Sequence, residues 1–198
     1  MAVAAVAITY LLIVAGGLVR ATGSGEGCTG WPKCTAGRWL PPLEYHSIIE
    51  YSHRMLAFLD IVLVASLAIL AWRAYRPVPR VFRSANAAIV LILLQAILGG
   101  IVVKGALAPA LVTAHFATAM VLVAVLVNVL VAALTLDASP SGPIDGLTRL
   151  ANAVVAGTFA LLLVGAYVRG ENAGLAFGTL APRADFDAIL ERHRVAVG

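Results

Sequence analysis

Glu50-Tyr51-Ser52-His53-Arg54 lies at the start of an apolar run that extends from Ile48 to Trp72. The run is long enough to cross a bilayer as a helix, which needs about 20 mainly apolar residues. Glu50 and His53 share one face of that helix, because residues three positions apart are neighbours on a helix surface. An ionisable pair at the edge of a membrane is costly, so these two side chains are the first candidate functional residues.

The composition of the chain is that of an integral membrane protein. Of its 198 residues, 61% are hydrophobic and 12% are charged, whereas a soluble domain is about half apolar and about a quarter charged. Apolar blocks separated by segments rich in Gly, Pro and charge predict an all-α membrane fold. The predicted spans are Val3–Val19, Ile48–Trp72, Ala87–Val103, Leu111–Leu136 and Leu150–Val168, with a sixth beginning at Phe186.

The distribution of basic residues predicts the orientation of the chain. The formal net charge is +4, but the basic residues are spread between spans rather than gathered on a polar surface, so we expect no nucleic-acid partner. Between the second and third spans they are concentrated at Arg73, Arg76, Arg80 and Arg83. Because Lys and Arg are retained on the cytoplasmic side, we expect the loop over residues 20–47 on the outer face of the cell membrane.

That loop contains both cysteines of the chain, Cys28 and Cys34. An oxidising compartment and the turn-forming Gly30 and Pro32 between the cysteines favour a disulfide. Two unpaired thiols are an alternative, and a metal pair is another, although no histidine lies between the cysteines to complete a zinc site. A disulfide in such a loop is also open to redox exchange.

The chain contains an internal repeat. Gly16–Arg20, at the end of the first predicted span, recurs as Gly165–Arg169 at the end of the fifth, and His53-Arg54 recurs as His193-Arg194. Repeated halves with the same topology are common in membrane proteins. We therefore expect a four-helix half over residues 1–137, a cytoplasmic linker over 138–149 and an incomplete second half over 150–198, which makes the chain a truncated eight-helix protein.

Two histidines on different spans predict a haem site. His53 on the second span and His115 on the fourth each lie a turn or two from the outer end, so they should sit at similar depth. Facing imidazoles in a four-helix bundle can ligate a haem iron from both sides. Small residues near them leave room for a flat macrocycle or allow close helix packing, namely Gly99, Gly100, Ala114 and Ala117. A histidine without a ligand is the alternative at either position.

Glu50 favours an enzyme over an electron carrier. A carrier with two histidine ligands needs no carboxyl group one turn from a ligand, whereas proton transfer does. The alternative is a structural ion pair with Arg54, four residues further on. Arg54 is itself a candidate partner for a haem propionate or for a lipid phosphate. We interpret His46 as a non-ligand and Gln95 as a hydrogen-bonding link between helices.

Taken in this order, the motifs resemble the heme A synthase family. The resemblance rests on Gly17–Gly25, Cys28, Trp31–Cys34, Glu50–Arg54, Gln95–Gly100 and His115, and it covers essentially the whole chain. It implies an eight-helix fold of two similar four-helix halves. It also implies that the first half receives haem O and oxidises a porphyrin methyl group to a formyl group, while the second half holds a haem b.

Carried over to this chain, the resemblance makes His53 and His115 the haem ligands of the first half and Glu50 the residue essential to the oxidation. It makes Cys28 and Cys34 a disulfide, and His193 one ligand of the haem b. Haem O, the lipid bilayer, haem O synthase and an electron acceptor are the expected partners, and a homo-oligomer is left open. The competing interpretations are a non-catalytic b-type cytochrome and a small transporter or assembly factor.

Overall fold

The computed structural model describes residues 1–35, 37, 39–136 and 146–170. Its long helices are α1 (Ala2–Ala21), α2 (Tyr45–Ala74), α3 (Pro79–Lys104), α4 (Pro109–Leu134) and α5 (Gly146–Gly170), and a short 3-10 helix, Ser24–Glu26, follows α1. All five long helices are long and apolar enough to cross a membrane. The predicted all-α membrane fold is therefore confirmed, while the sixth predicted span, from Phe186, lies outside the described residues.

Helix α3 begins at Pro79 rather than at the predicted Ala87. The prediction started the span at its first wholly apolar stretch and so left out Arg80 and Arg83. Pro79 stands in the first turn, where its missing N–H would have had no helical partner. Both arginines are exposed, and their long side chains let the charge stay at the membrane surface while the backbone continues as helix.

The first four long helices form a closed bundle. Helix α1 contacts α2 and α4, and α3 contacts the same two helices, whereas α5 lies outside the bundle against α4. The connections after α2 and α3 are short, which makes successive helices antiparallel neighbours. One end of the bundle, here called the loop end, holds residues 22–35, 37, 39–44 and 105–108. The other, the arginine end, holds Arg73, Arg76, Arg80 and Arg83.

The tightly packed core lies in the half of the bundle nearer the arginine end. Its buried cluster is Ala5 of α1, Val64, Leu67 and Ala71 of α2, Val81, Ala85, Ala88 and Ile92 of α3, and Leu122, Leu126, Val129 and Ala132 of α4. Alanine recurs in all four helices, and small residues let helix backbones approach closely. In lipid this close van der Waals packing, rather than escape from water, holds helices together.

Replacing Leu126 with Ala should destabilise the bundle, because Leu126 is fully buried in this core. We expect a loss of about 2–5 kcal/mol, the cost of a cavity that the surroundings fill only in part. Unfolding in mixed micelles followed by circular dichroism measures it. The control is Leu93→Ala on α3, where the side chain is exposed. Equal losses in the two variants would show that the core lies elsewhere.

Candidate functional site

One face of α2 carries the buried polar side chains of that helix. Glu50 and Asp60 are buried, and His53 is half-buried between them. Residues spaced by three, four or seven positions fall on the same side of a helix, and this side continues into Val64 and Leu67 of the core. Helix α2 therefore directs Glu50, His53 and Asp60 into the bundle, as the cost of charge in lipid requires.

The fold brings His53 and His115 together inside the bundle, on the loop-end side of the core. Both side chains are half-buried among the helices. Each ring has a buried Nδ1 atom without a hydrogen-bond partner in the part of the chain that the structure describes. Buried polar atoms normally have a partner, so two such rings at one place indicate a site for a group that the described chain does not itself supply.

A glycine lies beside each histidine ring. A Cβ atom added at Gly16 of α1 would lie 3.1 Å from Cε1 of His53, and one added at Gly99 of α3 would lie 3.6 Å from Cε1 of His115. The first distance is shorter than ordinary van der Waals contact, so Gly16 lets α1 lie directly against the His53 ring. From the sequence we expected Gly99 near the histidines but did not expect Gly16 there. Gly16 faces His53 only because α1 and α2 are packed together.

Two other predicted neighbours of His115 have different positions from those expected. Ala114 is exposed, because adjacent residues of a helix point about 100° apart. Gly100 faces the Trp31 ring rather than a histidine, and a Cβ atom added at Gly100 would lie 3.0 Å from the ring atom Cε2. The predicted hydrogen bond from Gln95 to a neighbouring helix is confirmed. Nε2 of Gln95 on α3 donates a hydrogen bond to the carbonyl oxygen of His115 on α4 at 3.0 Å.

The cysteine loop lies over this end of the bundle and is closed by a disulfide. Cys28 and Cys34 have their sulfur atoms 2.07 Å apart and are both buried. The predicted disulfide is confirmed, so the chain has no free thiol. Because Trp31 of the loop packs on Gly100, the loop covers the part of α3 next to Gly99 and the His115 ring.

Glu50 and Arg54 join this loop to α2. Oε2 of Glu50 accepts a hydrogen bond from the Cys28 backbone N–H at 2.8 Å, and its Oε1 pairs with the Arg54 guanidinium. Arg54 also donates to the Gly30 carbonyl oxygen at 2.8 Å. The structural ion pair considered from the sequence is therefore present, and a contact of Arg54 with a propionate stays a prediction.

The donor set at the loop end suits haem better than a bare metal ion. Among the described residues there is no group of three or more His, Cys, Asp and Glu side chains that could hold a metal ion. A haem iron needs at most two axial ligands from the protein. The two histidines inside the bundle are the number of ligands that this requires, whereas His193, predicted for a second site, lies outside the described residues.

Sequence reasoning missed one buried pair, Thr9 and Asp60. Both side chains are almost completely buried, and Oγ1 of Thr9 lies 2.9 and 3.0 Å from the two carboxyl oxygens of Asp60. The signal in the sequence was a carboxyl group within an apolar run, seven residues after His53. Its partner could not be found in the same way, because Thr9 is on another helix.

A bundle of apolar helices that turns two histidines inward beneath a disulfide loop defines a multi-pass membrane protein. A family model described as "Cytochrome oxidase assembly protein" matches residues 1–48 and 43–192. The chain belongs to this family of cytochrome oxidase assembly proteins.

The chain is also similar to curated proteins named heme A synthase, which confirms the resemblance inferred from its motifs. The protein from Bacillus pumilus (strain SAFR-032) is 32% identical over 187 residues, covering 85% of this chain and 57% of that protein. Those from Bacillus cereus (strain AH187) and Bacillus anthracis (strain A0248) are 34% identical over 113 residues, covering 56% of this chain and 36% of each relative. These matches span less than two thirds of the relatives' length.

Replacing Glu50 with Ala should loosen the cysteine loop. The change removes the acceptor of the Cys28 N–H and leaves the guanidinium of Arg54 without its ion-pair partner. Breaking a buried pair in this way costs about 3–5 kcal/mol, and Arg54 is partly exposed, so we expect the lower end of that range. The unfolding free energy and the rate of thiol labelling under a mild reductant measure the effect.

The control for this variant is Glu44→Ala, because Glu44 is an exposed carboxylate at the start of α2 that makes no side-chain cap. Unchanged stability and labelling in Glu50→Ala would contradict the attachment of the loop through Glu50.

Proposed function

We propose that the chain is part of a heme A synthase, which oxidises a porphyrin methyl group of haem O to a formyl group. The observation that carries the proposal is the pair His53 and His115 inside the bundle, each with a buried ring nitrogen that lacks a partner among the described residues. Two further findings support this function. The chain belongs to the family of cytochrome oxidase assembly proteins, and it is similar to proteins named heme A synthase.

The residues at the loop end fit a haem group. His53 and His115 would hold the iron, and the glycines beside the two rings, Gly16 and Gly99, let their helices lie close to the rings. When bound, haem O supplies the iron that the imidazoles hold and the methyl group that is oxidised. The Cys28–Cys34 loop covers this end of the bundle and limits the access of water to it.

Glu50 is the proposed catalytic residue, because it lies one helical turn from His53 and can hold a proton at a carboxyl oxygen. Both of its oxygens already accept a hydrogen bond, one from Cys28 and one from Arg54. Protonation of either oxygen would weaken the bond made there. A proton on Glu50 and the full attachment of the loop therefore compete for the same atoms, and Arg54 becomes available for a propionate when its bond to Glu50 is weakened.

A second half, a fixed orientation in the membrane and several partners complete the proposed synthase. Residues 1–137 would form the catalytic half, 138–149 a linker, and 150–198 part of a second half in which His193 would hold a haem b. The basic residues of the arginine end support a cytoplasmic position for that end and an outer position for the cysteine loop in the cell membrane. Haem O synthase, an electron acceptor and a second copy of the chain are the partners to be tested.

Replacing either His53 or His115 with Ala should abolish formation of the formyl product. The protein is expressed in membranes that contain haem O, and the extracted haems are separated by reversed-phase chromatography and identified by mass spectrometry. A b-type electron carrier would show a haem absorbance band but no formyl product in the parent protein. That result would overturn the proposal in favour of the cytochrome interpretation.

A milder pair of variants keeps this test valid if the histidine variants fail to fold. Gly16→Ala places a methyl group against the His53 ring, whereas a Cβ at the adjacent Gly17 meets no atom within 4 Å. Overpacking of this kind costs about 1–3 kcal/mol, so we expect haem to bind about tenfold more weakly or worse in Gly16→Ala. Gly17→Ala should bind haem like the parent. Equal binding in both variants would contradict a haem beside His53.

Replacing Glu50 with Gln should leave haem binding largely intact and stop formyl formation. Gln keeps the shape of the side chain and an acceptor oxygen for the Cys28 N–H, but it does not exchange a proton as a carboxyl group does. Haem content from the absorbance spectrum and product from chromatography measure the two effects separately. Loss of both together would show that Glu50 acts only through the structure of the loop.

A further inference from the structure

A carboxyl group lies in the membrane-spanning interior, away from the His53–His115 site. Asp60 of α2 is fully buried, and it belongs to the same helix face as Val64 and Leu67 of the core. Both of its oxygens lie within hydrogen-bond distance of one hydroxyl group, Oγ1 of Thr9 on α1. This hydroxyl is also 2.8 Å from the carbonyl oxygen of Ala5, one turn earlier in α1.

The protonation state of Asp60 decides which hydrogen bonds Asp60 and Thr9 can make at the same time. A threonine hydroxyl has one hydrogen to donate and can accept others. If Asp60 is ionised, the two carboxylate oxygens and the Ala5 carbonyl oxygen all depend on that single hydrogen. If Asp60 carries a proton, its O–H donates to Oγ1 of Thr9, and Thr9 donates to Ala5, so that each hydroxyl hydrogen has an acceptor.

The cost of charge in the bundle favours the same arrangement. An ionised carboxylate in an apolar interior is expensive unless a cation or several donors surround it. Within the described ranges the one ion pair is that of Arg54 with Glu50, near the loop end. Thr9 is the side chain that bonds to Asp60 in those ranges, and one neutral hydroxyl is a weak compensation for a full charge.

We propose that Asp60 and Thr9 form an internal proton-binding site. In this site Asp60 binds a proton and donates a hydrogen bond to the Thr9 hydroxyl, which in turn donates one to the Ala5 carbonyl oxygen. The site joins α1 to α2 without a charge in the interior of the bundle. It lies two helical turns, about 10 Å, from His53 along α2. A carboxylic acid held in this way can take up or release a proton where the fold excludes water.

Infrared spectroscopy of the protein in membranes tests the proposal, because a protonated carboxylic acid has a C=O stretching band separate from that of a carboxylate. Labelling with 13C-aspartate assigns the band to aspartic acid. We expect Asp60→Asn to remove the band. Thr9→Val should keep it but shift it to higher frequency, since the acid then loses its hydrogen-bond acceptor.

The matched control is Ser66→Ala on α2, because Ser66 makes the same kind of bond to a carbonyl one turn earlier, that of Val62, and it should leave the band unchanged. If Asp60→Asn does not fold, the parent protein and Thr9→Val decide the question together. A labelled band that Thr9→Val does not shift, or the absence of any protonated aspartic acid, overturns the proposal. The test needs no haem, so its outcome is independent of the proposed synthase activity.

Discussion

Inside a bilayer an ionisable side chain must face protein and must find a partner there, and the arrangement of α2 follows from this constraint. Glu50 is bonded by a backbone N–H and a guanidinium, and Asp60 is bonded by a hydroxyl group. The two histidines are the exception, because a ring nitrogen of each remains without a partner among the described residues. The exception is what separates a binding site from ordinary packing in this bundle.

The two ends of the bundle have different roles. The arginine end stabilises the fold, and the loop end holds the proposed site. Towards the arginine end, alanines and branched aliphatic side chains pack closely and hold the four helices in position. Towards the loop end, Gly16 and Gly99 let α1 and α3 lie close to the His53 and His115 rings. The packed half suits a binding site beside it, since it holds the site residues in their required orientation.

The cysteine loop and the histidine site are mechanically connected through α2. Glu50 holds the loop at Cys28 and lies one turn from His53, while Trp31 of the same loop packs on Gly100, next to the glycine that faces His115. A shift of the loop would therefore affect both sides of the site. This connection explains how one carboxyl group can serve both the structure of the loop and the proposed chemistry.

The sequence by itself predicted the five described spans, favoured the disulfide and pointed to the two histidines as candidate site residues, because apolar run length, cysteine spacing and intramembrane polar residues are local properties of a chain. It also offered the Glu50–Arg54 pair, whose members are four residues apart on one helix. Only the tertiary structure decided that Arg54 binds the Gly30 carbonyl, that Gly16 lies against His53 and that Asp60 bonds to Thr9. These contacts join residues 24 to 51 positions apart, and they depend on which helix faces meet, which no local pattern contains.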